Sequence, residues 1–376
     1  METRQAWEPK LSGCSFLPPK VMDSLAYCKM LPKIELHAHL TGSLSDETVL
    51  RLLDAKRREG ATSLPKSAEV TINRGHDRTL EECFQVFSIL HSLTDSLGAV
   101  KKMTKDVIQE FASDNVKYLE LRTTPKFIPN RMTKKEYVET VLEAMIEEMK
   151  MSCIIVRLLL SIDRARGVDD AWDTLKLAKE YIIHDVYKSL ICGIDVSGNP
   201  KIGNLSSYIP ILEEAKKCGL QLTIHLAEVP SKEETLAILQ SGLVDRIGHG
   251  TFIHPDSGGS QELLQHVRNC QIPLEICVSS NIKSRTVKSI KDHHLMHWRK
   301  EGHPIIICTD DKGVFATSLS EEYFICAETF NLSKDDLSEL CISAAEATFL
   351  PKPEKHQLIL SIQEELINLQ EKHISG

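Results

Sequence analysis

Residues 31–42 read LPKIELHAHLTG, an apolar run that ends in His37 and His39, one residue apart, just before a glycine. On a strand, residues i and i+2 point to the same side. The two imidazoles would therefore share one face at a strand's end. A hydrogen-bonded structural pair is one reading of so short a pattern, and a grip on a metal ion is the other. The rest of the chain has to decide between them.

Seven further runs of the same apolar, β-branched kind follow: VKYLELRTTP (116–125), IIVRLLLSID (154–163), ICGIDVSG (191–198), LQLTIHLAE (220–228), DRIGHG (245–250), PLEICVSSN (273–281) and PIIICTDD (304–311). Between them lie segments of helical period, such as 133–150 and 231–242. In the latter, Ser231 and Glu234 are spaced as a capping box and Gly242 as a stop. Strands alternating with helices imply parallel βα units, and eight such units predict a (β/α)8 TIM barrel. Extra helices are expected after the first strand, within 41–115 and including 79–97, and at the C-terminus over 318–372. The insertion after the first strand has the place of a lid. No linker divides the chain, so the expectation is one barrel domain over 31–376, preceded by an N-terminal extension, 1–30.

Composition narrows the partners. Asp and Glu total 53 against 45 Lys and Arg, a net charge of −8, which offers no basic stripe for a nucleic-acid polymer. The first thirty residues hold no apolar run of signal-peptide length, and no stretch is long enough to span a membrane. The eleven cysteines include no CxxC pair, and Cys192, Cys277 and Cys308 fall inside apolar runs. They read as reduced, small hydrophobes rather than as disulfides or zinc ligands. A cytosolic monomer is the expectation.

The chemistry gathers at the predicted strand ends, where a barrel keeps its catalytic groups. The first run supplies His37 and His39; the fifth, His225 and Glu228; the sixth, His249 between two glycines; the eighth, Asp310 and Asp311. Each alone has a plain explanation: a satisfied core histidine, a tight turn, an aspartate capping a helix. Their coincidence at four strand ends is what argues for a site. Three imidazoles and a carboxylate suit zinc with one position left for water, and a bound zinc lowers the pKa of that water toward about 7. The histidines of 292–304, DHHLMHWRKEGHP, lack a carboxylate pattern and read as an exposed helix or loop rather than a second metal site.

Taken together, ELHAHLTGS, HLAEVP, DRIGHG and CTDDKGVFATSLSEEY resemble the adenosine/AMP deaminase family of zinc-dependent barrel hydrolases, over about residues 31–350. Within it the chain looks most similar to the adenosine-deaminase-like proteins that act on N6-methyl-AMP. The resemblance implies one Zn2+ per chain on His37, His39, His225 and Asp310. It further implies Glu228 as proton donor, His249 as the group that orients and helps deprotonate the water, and Asp311 as a purine contact. Gly198 would face the purine ring, and His39 would face the substrate as well as the metal.

The substrate is less legible. Where adenosine deaminases usually carry Asp and the N6-methyl-AMP subfamily Asn, this chain has Thr41. A carboxylate there would repel a phosphate, whereas a neutral hydroxyl can donate to one. Thr123, Thr124, Pro125 and Lys126 follow the second strand as either a plain turn or a phosphate cradle. In the subfamily the positions of His91 and Asp163 also contact the nucleotide. The expected substrate is thus a purine nucleoside monophosphate, N6-methyl-AMP going to IMP, with adenosine as the alternative. A two-metal amidohydrolase would want a bridging lysine at a middle strand end, and none stands there. A binding protein on a deaminase scaffold should have lost a ligand or the acid, and neither is lost.

Overall fold

Each apolar run pairs with the next in chain order. In the computed structural model, which describes residues 19–60 and 80–374, the strands are β1 (Lys33–His39), β2 (Val116–Thr123), β3 (Ile155–Asp163), β4 (Ile191–Ser197), β5 (Gln221–Leu226), β6 (Arg246–His249), β7 (Leu274–Ile276) and β8 (Ile305–Ile307). Every ladder is parallel. β8 meets β1 through one bridge, Ala38 to Asp310, where His39 N donates to Asp310 O and Asp310 N donates to His37 O. The seam that closes the barrel therefore runs through a residue singled out for its chemistry.

Helices Lys134–Met151, Val168–Tyr181, Ile209–Lys217, Lys232–Gln240 and Gln261–Cys270 fill successive crossovers. With helices outside and side chains inside, both faces of the strands are covered, which is why the runs are almost unbroken in hydrophobicity. After β1 come helices Asp46–Arg58, Leu80–Leu93 and Leu97–Ser113; the part of that insertion at 61–79 lies outside the described residues. Helices Leu319–Phe330, Lys334–Glu346 and Lys352–Ile374 complete the C-terminus. Of the expected N-terminal extension, residues 1–18 lie outside the described residues and Pro19–Met30 is a helix. No helix among the described residues is long and apolar enough to cross a membrane.

Two local expectations fail for identifiable reasons. The run 273–281 is strand only to Ile276; Val278–Lys283 turns helical, with Glu322 accepting the Ser279 N–H. Ser231 and Glu234 form no capping box, because Glu234 instead takes Arg164 Nη2 at 2.7 Å and the Leu205 N–H at 2.8 Å. A long-range charge outbids a local cap. Among the described residues capping boxes form at Thr133 with Glu136 and at Ser333 with Asp336.

The barrel interior departs from the usual filling of branched aliphatics. Arg122 on β2 reaches Asp195 on β4 (3.0 Å) and Glu275 on β7 (2.9 Å), and Arg246 on β6 binds Glu275 (2.7 Å) and Glu120 on β2. All five are buried. Burying charge is costly, and removing one partner of such a set costs about 3–5 kcal/mol because the other is left uncompensated. Arg246→Met should therefore lower stability by about 3–5 kcal/mol, read by denaturant unfolding; an unmoved midpoint would show that these charges do not hold the barrel.

Candidate active site

The strand ends deliver the expected histidines to one spot. His37, His39, His225 and Asp310 each offer a donor atom, and all four atoms lie within 4.8 Å of one another. His39 Nε2 and His225 Nε2 face each other at 3.1 Å, and Asp310 Oδ1 stands 3.2 Å from His37 Nε2 and 3.4 Å from His39 Nε2. Two of the outer nitrogens are already engaged: His37 Nδ1 with Glu275 (2.7 Å), His225 Nδ1 with Asp195 and the Val196 carbonyl (3.1 Å each). Such partners fix the tautomer and turn the other nitrogen's lone pair inward. His37 Nε2 is buried without a hydrogen bond. Convergent lone pairs around an orphaned nitrogen fit a metal ion better than they fit one another.

Electrostatics agree. Burial, aided by His225 and His37, pushes His39 down to about 3, so it stays neutral. Asp310 is buried, yet His37 beside it and the other surrounding imidazoles hold it well below the usual carboxylate range, and Ser280 Oγ donates to its Oδ2 at 2.7 Å. Backbone strain collects here too. Ala227, His249 and Asp310 all have positive φ (52°, 64° and 61°), a conformation non-glycine residues keep only where the surroundings impose it.

Two further carboxyls line the same mouth. Glu228 is pushed up to about 7 by burial, with Asp310 adding and His225 and Arg164 opposing. Its Oε1 and Asp310 Oδ2 each lie 3.9 Å from His249 Nε2. Asp311 is raised well above the carboxylate range by burial, Asp310 and Glu228, and its buried Oδ1 has no partner. Gly42 makes room for it, since a Cβ there would stand 1.7 Å from that oxygen. Sequence reading missed Gly42; the only signal was its place next to Thr41.

The ends of β1 to β4 carry the remaining expected residues except His91, which lies on the helix Leu80–Leu93. Thr123 Oγ1 and Tyr137 OH are 2.6 Å apart, and the Thr41 side chain lies against the same phenol. Lys126 is buried, donates to Thr94 Oγ1 at 2.7 Å and forms no ion pair among the described residues. Burial, then the charge of Arg166, pushes it down to about 7. Arg166 is held by the Pro125 carbonyl (3.1 Å) and Asp163 (3.5 Å). Asp163 also accepts the Ala165 N–H at 2.9 Å and presses on Gly198, where φ is +97° and a Cβ would meet its Oδ1 at 2.2 Å. Thr124 is half-buried, and His91 stands exposed within electrostatic reach of Lys126 and Arg166. Tyr137, Thr94 and Arg166 are additions that only the packing reveals.

The histidines of 292–304 are not an exposed loop. His293, His294 and His303 are buried and hydrogen-bonded to Asn281, the His249 carbonyl and the Ile272 carbonyl. His297 stacks on His254 (4.3 Å, 3°) beside Asp256. An ion in the plane of one ring would lie outside the plane of the other, and His254 Nδ1 already takes the Asp256 N–H at 3.2 Å. That cluster is a poor cation site.

Comparison with known proteins accords with this geometry. The adenosine deaminase family model matches residues 32–365. An N6-methyl-AMP deaminase of Danio rerio is 45% identical over 335 residues, covering 88% of this chain and 94% of the relative. That of Homo sapiens is 45% identical over 331 residues, covering 87% and 91%. A solved Arabidopsis protein, ADAL complexed with IMP, superimposes with a TM-score of 0.82 at 37% identity, covering 91% of this chain and 99% of that one. A family match along nearly the whole barrel, with relatives aligned over most of their own length, places this chain in the adenosine deaminase family, as a hydrolytic deaminase acting on C–N bonds.

Proposed function

We propose that this chain removes the amine from N6-methyl-AMP and related N6-alkyl AMPs, giving IMP. The observation that carries the nucleotide part is Lys126: a buried lysine with no ion pair among the described residues, near the hydroxyls of Thr94, Thr123 and Tyr137 and within electrostatic reach of Arg166. Such a pocket is costly when empty and rewarded by a phosphate. A neutral Thr41 adds a hydroxyl where a carboxylate would repel. The names of the relatives, and the IMP held by the Arabidopsis protein, support the same substrate class.

His37, His39, His225 and Asp310 would hold one zinc ion, which when bound supplies a water acidic enough to react near neutral pH. The remaining work falls to the side chains. His249 and Asp310 orient that water toward the purine carbon bearing the amine. Glu228, whose raised pKa of about 7 leaves a protonated fraction at neutral pH, gives its proton to the adjacent ring nitrogen as the water's oxygen adds. One proton of the water passes by way of Asp310 to the amine, the C–N bond breaks and methylamine departs, and the added hydroxyl returns its remaining proton to Glu228, leaving a carbonyl oxygen on the ring. Asp311, raised by burial beside Asp310 and Glu228, offers an O–H when protonated as well as a carbonyl, so it can donate to a purine nitrogen as well as accept. Gly198 leaves the ring room to approach. In this reading the chain acts as a cytosolic monomer, and among the described residues no cysteine forms a disulfide, as in a reducing compartment.

Side-by-side turnover of N6-methyl-AMP, AMP and adenosine, followed by ultraviolet absorbance, tests the substrate. N6-methyl-AMP should be strongly preferred; preference for adenosine would establish the alternative. Because kcat/KM reports groups of the free enzyme, the pH dependence has a sign. Lys126 is charged below about 7 and neutral above it, so the preference for nucleotide over the matching nucleoside should fall as pH rises through that value. Lys126→Met should lower the preference and flatten the pH dependence. Glu228→Gln should cost about 10²–10⁴ in kcat while metal analysis still finds one zinc per chain; normal turnover would remove Glu228 from the donor role. Chelation should abolish activity and zinc restore it, whereas a chelated protein that remains active would remove the metal from the reading.

A further inference from the structure

The buried His293 and His294 stand behind His249, and their hydrogen bonds determine which of its nitrogens carries the proton. The Leu295 backbone N–H donates to His293 Nδ1 at 3.1 Å. A backbone amide only donates, so His293 carries its proton on Nε2. That Nε2–H lies 3.0 Å from Asn281 Oδ1, which turns the Asn281 amide group the other way, toward Thr286 Oγ1 (3.2 Å) and His249 Nδ1 (3.5 Å). Thr286 gives independent support for this orientation. Its hydroxyl hydrogen is spent on the Asn281 carbonyl at 3.1 Å, so its oxygen is left to accept.

We infer that Asn281 and His293 are positioning residues that hold His249 in its Nε2–H tautomer, so that His249 donates a hydrogen bond into the reaction centre and does not accept the proton of the attacking water. The inference rests on the reading that places His249 beside that water. Nδ1 of His249 receives the Asn281 amide, and a neutral imidazole has one proton, which must then be on Nε2. Nε2 faces Glu228 Oε1 and Asp310 Oδ2. His294 completes the arrangement by donating to the His249 carbonyl at 2.9 Å, holding the backbone in its left-handed turn. Asn281, His293, His294 and His249 are all buried, so water cannot substitute for a missing donor. The water's proton then has Asp310 as its acceptor. This division of labour differs from the sequence expectation, in which His249 helps remove the proton.

The decisive measurement is a long-range proton–nitrogen spectrum of zinc-loaded, 15N-histidine-labelled protein, with His249 assigned by its loss in His249→Gln. The expected result is a protonated Nε2 and an unprotonated Nδ1. A proton on Nδ1 in the wild-type protein overturns the inference, and this arm needs no variant at Asn281. Asn281→Asp keeps the shape and the acceptor for His293 but replaces the donor facing His249. It should move the proton to Nδ1 and lower kcat about 10²–10⁴-fold, with KM and zinc content little changed. An unmoved tautomer, or an unchanged kcat, would show Asn281 to be a packing residue. His293→Gln, which can still donate to Asn281 Oδ1, should retain far more activity than His293→Leu; equal losses would count against the relay. The spectrum needs no substrate, so it separates failure of this inference from failure of the substrate assignment.

Discussion

Two of the three imidazoles at the barrel mouth have their outer nitrogens held by buried carboxylates, and the interior ion network fixes those carboxylates in place. Arg122 bridges Asp195 and Glu275, and those carboxylates in turn hold His225 and His37. Without the guanidinium, two buried carboxylates would be drawn up in pKa and would lose their grip as acceptors. The same ions that make the core costly thus aim the ligands. A purely aliphatic interior would be cheaper but could not orient them.

A similar exchange governs the two ends of the candidate site. At the reaction end, burial raises Glu228 and Asp311, and the imidazoles keep Asp310 ionised, so neighbouring carboxyls differ in protonation through their surroundings alone. At the other end, a lysine is buried with no ion pair among the described residues. Unpaired buried polar groups are rare enough to point to a ligand. Asp311 Oδ1 and His37 Nε2, both buried without a hydrogen bond, carry the same message.

Legibility followed the range of the interactions. Strand positions were readable because hydrophobic period is local, and β1 to β6 end within three residues of expectation. β7 was overextended because the Glu322 carboxylate that receives the Ser279 N–H lies 43 residues further on. The box expected at Ser231 failed for the same kind of reason, Glu234 being drawn to Arg164. The histidines of 292–304 were misread as exposed because nothing in their own neighbourhood says that Asn281 and the His249 carbonyl lie against them.

By itself the sequence determined the alternation of strands and helices, the closed barrel that eight such units form, and the clustering of His37, His39, His225, Glu228, His249, Asp310 and Asp311 at strand ends. Those follow from periodicity and from which end of a parallel strand faces the mouth. Only the tertiary structure decided which nitrogen of each histidine is engaged, which carboxyl keeps its proton, and that Tyr137, Thr94 and Arg166 join Lys126. Tautomer and protonation depend on partners brought within hydrogen-bonding distance by strands far apart in the chain, and on the water excluded when they meet.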